Sequence, residues 1–278
     1  MKLSEMRQAL AEGGIQLTKS LGQNFLHDAN QLEKIVEAAE VGAEDRVLEI
    51  GPGLGPLTER LVERAGEVLA IEKDRRLFEF LEKRLTGVEN LRLLHADALD
   101  FLAREKVDWS EWKMVSNLPY SVGSALLVEL AQGARPPKLM VATVQLEVAR
   151  RLAARAGEAD YGLLALLVQI VYKPRGWFKI PAGCFFPEPE VDSACVMLVR
   201  REKPLLTLEQ RNTFVRLVKC SFSQRRKMML KLLKEEWPAE AVHEGFAQLG
   251  LEPKVRAEEV ALEKFVGLTK ILVEGTQR

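Results

Sequence analysis

Residues 47–61 read VLEIGPGLGPLTERL. The aliphatic run Val47-Leu48-Glu49-Ile50 meets glycines at alternate positions, Gly51, Gly53 and Gly55, before an amphipathic segment starts at Leu57. This is the pattern of strand, tight turn and helix, with a turn whose backbone can approach a ligand closely. Pro56 suits a first helical turn, where its missing N–H costs nothing. An ordinary glycine-rich βα turn fits the same residues. A dinucleotide site fits less well, because that fingerprint wants glycine where Pro56 stands. A different nucleoside cofactor is the better expectation.

Outward from this turn the chain repeats the unit. Residues 67–71, EVLAI, form a second strand, ended by Glu72, 21 residues after Gly51. In a nucleoside-binding α/β domain an acidic side chain there accepts from ribose hydroxyls; a solvated Glu near a helix start is the alternative. Residues 91–95 make a third strand, followed by Asp97. This side chain can cap the next helical turn and, in a doubly wound sheet, faces the same crevice as Gly51 and Glu72, where it can accept from an adenine amino group. Residues 113–116 form a fourth strand that runs into Asn117-Leu118-Pro119-Tyr120. Pro119 fixes its own φ and biases Leu118 toward extended backbone. The Asn117 side chain, the Leu118 carbonyl and the Tyr120 ring are thus presented from a stiff loop.

Residues 139–144 supply a fifth strand, and residues 191–199 close the sheet. A tight loop rather than a crossover makes that last pair antiparallel at the edge of a mixed sheet. Before it, residues 181–189, PAGCFFPEP, hold Phe185 and Phe186 between prolines. Near the start, Gln23-Asn24 beside Phe25-Leu26 reads as a loop anchor, and Asp28 or Asn30 can cap a helix over 31–39. Residues 205–278 show no strand pattern. The segments 208–220, 226–233, 239–249 and 257–268 repeat apolar residues near a 3.6 period. The division expected is an α/β domain over 1–202 and a small all-helical domain over 203–278.

The composition is that of a globular chain, and no apolar run approaches the roughly 20 residues needed to span a bilayer. The opening MKLSEMRQALAEGG lacks an apolar signal core, so a cytoplasmic protein with no membrane partner is expected. Cys184, Cys195 and Cys220 form no close pair, and with three scattered histidines no metal motif is present in the sequence. The formal net charge of zero conceals an asymmetry. Residues 200–234 hold eleven Lys or Arg against two Glu, whereas residues 1–199 carry a net of −5 and residues 235–278 a net of −4. That distribution points to a polyanionic partner.

At Asn117-Leu118-Pro119-Tyr120 the chain resembles the ribosomal RNA adenine N6-dimethyltransferase family, and other motifs of that family recur in order along nearly its whole length. They are LGQNFL at 21–26, EIGPGLG at 49–55, IE at 71–72, DA at 97–98, FFPEPEVDSA at 185–194 and SFSQRRK at 221–227. The resemblance implies a Rossmann-like class I methyltransferase sheet and S-adenosyl-L-methionine as cofactor. By position the cofactor would contact Asn24, Leu26, Gly51, Glu72, Asp97 and Asn117, with Phe25 as an aromatic wall. Asn117 and Leu118 would take the hydrogens of the target amino group, and Tyr120 and Phe185 would hold the flipped adenine between them. Arg225, Arg226 and Lys227 would meet RNA phosphates. Methylases of 23S rRNA share this chemistry. The uninterrupted NLPY and the QRRK tail are more similar to the branch that dimethylates two adjacent adenosines near the 3′ end of 16S rRNA, in a small ribosomal subunit still being assembled, as a monomer.

Overall fold

The structure is a computed structural model, and it describes residues 1, 3–15, 23–224 and 226–276. The strands are β1 (Phe25–Leu26), β2 (Arg46–Ile50), β3 (Glu67–Glu72), β4 (Leu91–His95), β5 (Trp112–Asn117), β6 (Leu139–Gln145), β7 (Tyr172–Ile180), β8 (Phe185–Phe186) and β9 (Ser193–Arg200). Among the described residues the α-helices are α1 (Leu3–Glu12), α2 (Ala29–Ala38), α3 (Pro56–Val62), α4 (Arg75–Arg84), α5 (Ala98–Arg104), α6 (Gly123–Gln132), α7 (Leu146–Ala153), α8 (Leu163–Gln169), α9 (Leu208–Ser221), α10 (Met229–Leu233), α11 (Ala239–Gln248) and α12 (Leu262–Thr276). None is long and apolar enough to cross a membrane.

Seven strands form one sheet in the order β4-β3-β2-β5-β6-β9-β7. From β4 to β6 all neighbours are parallel, and β9 lies antiparallel to β6. The chain therefore leaves β2 toward β3 and β4 on one side, then returns to place β5 and β6 on the other. Such a reversal splays the two loops that follow β2 and β5 and opens a crevice at their carboxyl ends. The ends are level: Ile50 pairs with Ile71, Glu72 with His95 and Asn117 with Thr143. The Ser116 hydroxyl accepts from the Ile50 N–H at 2.8 Å and ties β2 to β5 just below the crevice.

The inner strands β2, β3, β5 and β6 are mostly buried because both faces are covered. On one side Leu32, Ile35 and Val36 of α2 and Leu57 and Leu61 of α3 pack on Val47, Val68, Val115 and Val141. A second cluster joins Met6 and Leu10 of α1 with Ile15, Phe25, Leu54 and Leu77. Asp28 caps α2, Asp74 caps α4 and Asp97 caps α5, each accepting from a backbone N–H of the first turn.

Two compact units result, one of residues 1–149 and 174–200, the other of residues 150–173 and 201–278. The second break falls close to the expected boundary at 202, but residues 150–173 group with the helical unit instead of the sheet unit. The reason is local. α8, LLALLVQ, is apolar nearly all round and needs cover on more than one side. It packs on α9, the Tyr161 hydroxyl donates to the Val260 carbonyl at 2.9 Å, and the Tyr161 ring meets Phe222 edge-on. The helix expected over 226–233 is shorter than the periodicity suggests. Met228 is extended at the N-cap of α10, so Arg226 and Lys227 lie in the turn before it.

Candidate active site

The glycine turn after β2 holds left-handed backbone at Gly51, Gly53 and Gly55 (φ 70°, 62° and 85°). All three are also packed tightly, and a Cβ at Gly55 would lie 2.7 Å from the Leu81 side chain. A Cβ at Gly53 would lie 2.6 Å from the Phe25 ring, and one at Gly51 would lie 3.2 Å from the Pro119 ring. Any side chain here would displace the walls of the crevice. The floor is acidic. Glu72, 6 % exposed at the end of β3, accepts from the Gly53 N–H at 3.0 Å and from the Asp74 N–H at 2.8 Å. Burial pushes its carboxyl upward, against the opposing pull of those N–H groups. Asp97 splits its oxygens: one accepts from the Leu99 N–H at 2.9 Å, the other pairs with the Lys73 ammonium at 2.6 Å. The Lys73 hydrogen bond holds the Asp97 carboxyl below its usual range. Beneath the turn, Glu49 is 1 % exposed, and burial, opposed in part by the Thr58 hydroxyl, drives its pKa up to about 8.

Across the crevice, Asn117 ends β5. Its Nδ2 donates to the Asn24 carbonyl at 2.9 Å. A carbonyl can only accept, so this bond fixes which end of the amide faces Asn24. The Oδ1 is left buried with no hydrogen-bond partner among the described residues. An orphaned buried acceptor costs stability and is a common mark of a ligand position.

These groups line one cavity of about 190 Å³. Of the residues singled out from the sequence, Asn24, Phe25, Gly51, Glu72, Asp97, Asn117 and Leu118 line it. Leu26 does not. In the two-residue strand β1 the side chains alternate, and Leu26, 1 % exposed, turns into the core under the sheet. Tyr120 stands beside the cavity rather than in its lining, half-buried, with its hydroxyl bonded to the Ser193 hydroxyl. Phe185 departs from its expected role. It is 3 % exposed within the core cluster of α2 and α3, and its neighbour Phe186 is the more open ring, under the Arg7 guanidinium. Arg226 and Lys227 are exposed, whereas Arg225, like Leu21 and Gly22 of the LGQNFL motif, lies outside the described residues.

The sequence reading missed the pairing of β1 with β8, Phe25 opposite Phe186 and Leu26 opposite Phe185, which joins the QNFL and FFP motifs. It also missed Gln23, Lys73, Ser121 and Val122 as lining residues. Gln23, Lys73 and Ser121 each adjoin a residue singled out from the sequence and Val122 lies one position beyond Ser121, so adjacency is their only signal.

The family model described as "Ribosomal RNA adenine dimethylase" matches residues 14–274. The chain belongs to this family. It is 41% identical over 271 residues to "Ribosomal RNA small subunit methyltransferase A" of Moorella thermoacetica, covering 94% of each chain. The protein of the same name from Geobacillus kaustophilus is 37% identical, covering 96% of this chain and 94% of the relative. Among solved structures, a dimethyladenosine transferase from Plasmodium falciparum superposes with a TM-score of 0.76 at 26% identity, over 91% of this chain and 98% of that one. The 23S rRNA methyltransferase ErmE superposes with a TM-score of 0.68 at 28% identity, over 90% and 99%. The protein is thus a ribosomal RNA adenine dimethyltransferase dependent on S-adenosyl-L-methionine, with the class I methyltransferase fold and a helical C-terminal subdomain.

Proposed function

We propose that this enzyme dimethylates N6 of two adjacent adenosines near the 3′ end of 16S rRNA, acting as a monomer in the cytoplasm on an immature small subunit. The observation that carries the chemistry is the orphaned, buried Asn117 Oδ1, on a residue that lines an acidic, glycine-walled cavity. The residues present fit S-adenosyl-L-methionine. Glu72 offers carboxylate oxygens for ribose hydroxyls, Asp97 an acceptor for an adenine amino group, and Phe25 and Leu77 an apolar wall. The turn at Gly51 and Gly53 packs its bare backbone against the Pro119 and Phe25 rings, which a Cβ would push out of the cavity wall. When bound, the cofactor supplies an electrophilic methyl group on a cationic sulfonium, a charge that the carboxylate-lined site favours.

An exocyclic adenine nitrogen is a weak nucleophile because its lone pair is delocalised into the ring. Asn117 Oδ1, accepting one amino hydrogen, and the Leu118 carbonyl, accepting the other, favour the geometry in which that lone pair is released. Leu118 is held for this task by its own N–H, which donates to the Thr143 carbonyl at 3.1 Å. Positioning is therefore the main device. The target base must leave its stack, and Tyr120 offers the ring to receive it.

The choice of 16S rRNA rests on likeness, 41% to a small-subunit methyltransferase against 28% to a 23S one, and on the exposed Arg226 and Lys227. The test is methyl transfer to 16S rRNA in immature particles and to 23S rRNA, with mass spectrometry of the product. Two adjacent N6,N6-dimethyladenosines in 16S rRNA alone are expected. Transfer confined to 23S rRNA would overturn the assignment while leaving the chemistry intact.

A further inference from the structure

The antiparallel strand β9 brings its first residues, not its last, to the edge of the sheet where the parallel strands end. Cys195 pairs with Thr143, which pairs with Asn117, and Ser193 lies opposite Gln145, two residues further toward the crevice. Ser193 is wholly buried, and its hydroxyl is bonded to the Tyr120 hydroxyl. Its neighbour Asp192 faces a different task. One Asp192 oxygen accepts from the Ala182 N–H at 3.0 Å, and the other pairs with Lys179 at 2.6 Å, which anchors the turn leading into β8.

We propose that Ser193 is a positioning residue for the methyl-transfer reaction, its buried hydroxyl fixing the Tyr120 ring in the place where the target base is received. The inference rests on the function proposed above. Tyr120 follows Pro119, whose carbonyl accepts from the Val122 and Gly123 N–H groups at 3.2 and 2.9 Å, so the backbone of the loop is set. What the backbone leaves free is the direction of the ring. The ring of a half-buried tyrosine swings about two side-chain bonds. A bond from its distal hydroxyl to a serine on β9, a strand flanked on both sides in the sheet, stops that swing at the far end. Asn117 needs no such help, because its amide is already held by the Asn24 carbonyl. Burial pushes the Tyr120 phenol above its ordinary range, so the hydroxyl keeps its proton and the bond persists across the working pH. Ser193 does not line the cavity; it acts through Tyr120.

The experiment is a double-mutant cycle between Ser193→Ala and Tyr120→Phe, read in methyl transfer to 16S rRNA particles. Tyr120→Phe removes the same bond from its other end while keeping the ring. Each single variant should lower kcat/KM for RNA by about fivefold to tenfold, the scale of one lost hydrogen bond of about 1–1.5 kcal/mol. The double variant should be no worse than the poorer single one. Cofactor affinity by calorimetry should stay within about twofold. Fluorescence of 2-aminopurine at the target adenosine should report weaker base capture in all three. Asp192→Asn, which loosens the 181–184 turn, should show no coupling to Tyr120→Phe. Multiplying losses, or cofactor affinity falling as far as RNA capture does, would overturn the proposal. If Ser193→Ala does not fold, Tyr120→Phe decides alone, and an unchanged kcat/KM for RNA overturns it. Failure of the functional reading shows separately, as no transfer to 16S rRNA by the unaltered protein.

Discussion

Asn117 carries an amide whose two ends have different work. Nδ2 is spent on the Asn24 carbonyl, and Oδ1 waits, buried and unpartnered. Asn117→Ala should therefore reduce single-turnover methyl transfer by roughly 10²-fold or more at saturating cofactor, the scale of one preorganised polar group lost. RNA affinity should barely change; a near-normal rate would leave the alignment to the Leu118 carbonyl alone. Glu49 makes the opposite kind of demand. Its pKa of about 8 lies far above the ordinary 4.5, because burial penalises the charged form and Glu72 adds like charge. Between those values the folded protein keeps a proton that the unfolded chain releases. Stability is thus fully present below about 4.5 and is lost as pH rises toward 8. Glu49→Gln keeps the shape and removes the titration. Its Tm relative to the unaltered protein should rise from pH 5 to pH 9; an equal offset at both ends would mean that Glu49 ionises at no cost.

At the scale of elements, the turn between β2 and α3 and the short pair of β1 with β8 form one wall of the site. Gly53 connects them, since its N–H holds Glu72 and its open side admits the Phe25 ring. Gly53→Ala should destabilise the fold by about 1–3 kcal/mol through left-handed strain and weaken cofactor binding further by pushing Phe25 out of place. Gly87→Ala is the control, with φ of 86° and nothing within 4 Å of a new Cβ. Denaturation with cofactor calorimetry separates the two, and equal cofactor affinity in both variants would disprove the wall. The large units of this architecture were legible in the sequence because strand and helix periods persist over many residues. Gly51, Glu72, Asp97 and Asn117 were legible because each lies at, or within two residues beyond, the crevice-side end of a strand. The pairing of β1 with β8 was not, since two-residue strands have no period to read. Nor was the turning of Leu26 and Phe185 into the core, because adjacent residues in a strand differ only in face, and that register is set by partners far away in sequence.

Across the whole molecule, neutrality is divided. The helical unit holds 19 basic and 13 acidic side chains, a net of +6, and the sheet unit carries the balancing −6. The acidic share suits a cationic cofactor, and the basic share suits a polyanion. Residues 150–173 contribute Arg150, Arg151 and Arg155 to the basic unit, which a cut near residue 202 would have assigned to the other. Within it Arg226 and Lys227 are exposed in the turn before α10, and Lys227 has only Glu235, at 3.8 Å, as an acidic neighbour among the described residues. An ion pair that long and exposed adds little stability, so the charge is available to a phosphate. Arg226→Glu with Lys227→Glu should then flatten the dependence of log RNA affinity on log salt by about 0.7–0.9 for each phosphate left unneutralised. At saturating RNA the rate should fall far less than the affinity. Asn117→Ala gives the reverse pattern, an unchanged slope with a lowered rate, because its work begins after the phosphates are held. An unchanged slope in the doubly reversed variant would place RNA recognition on another surface, with this turn left to solvent.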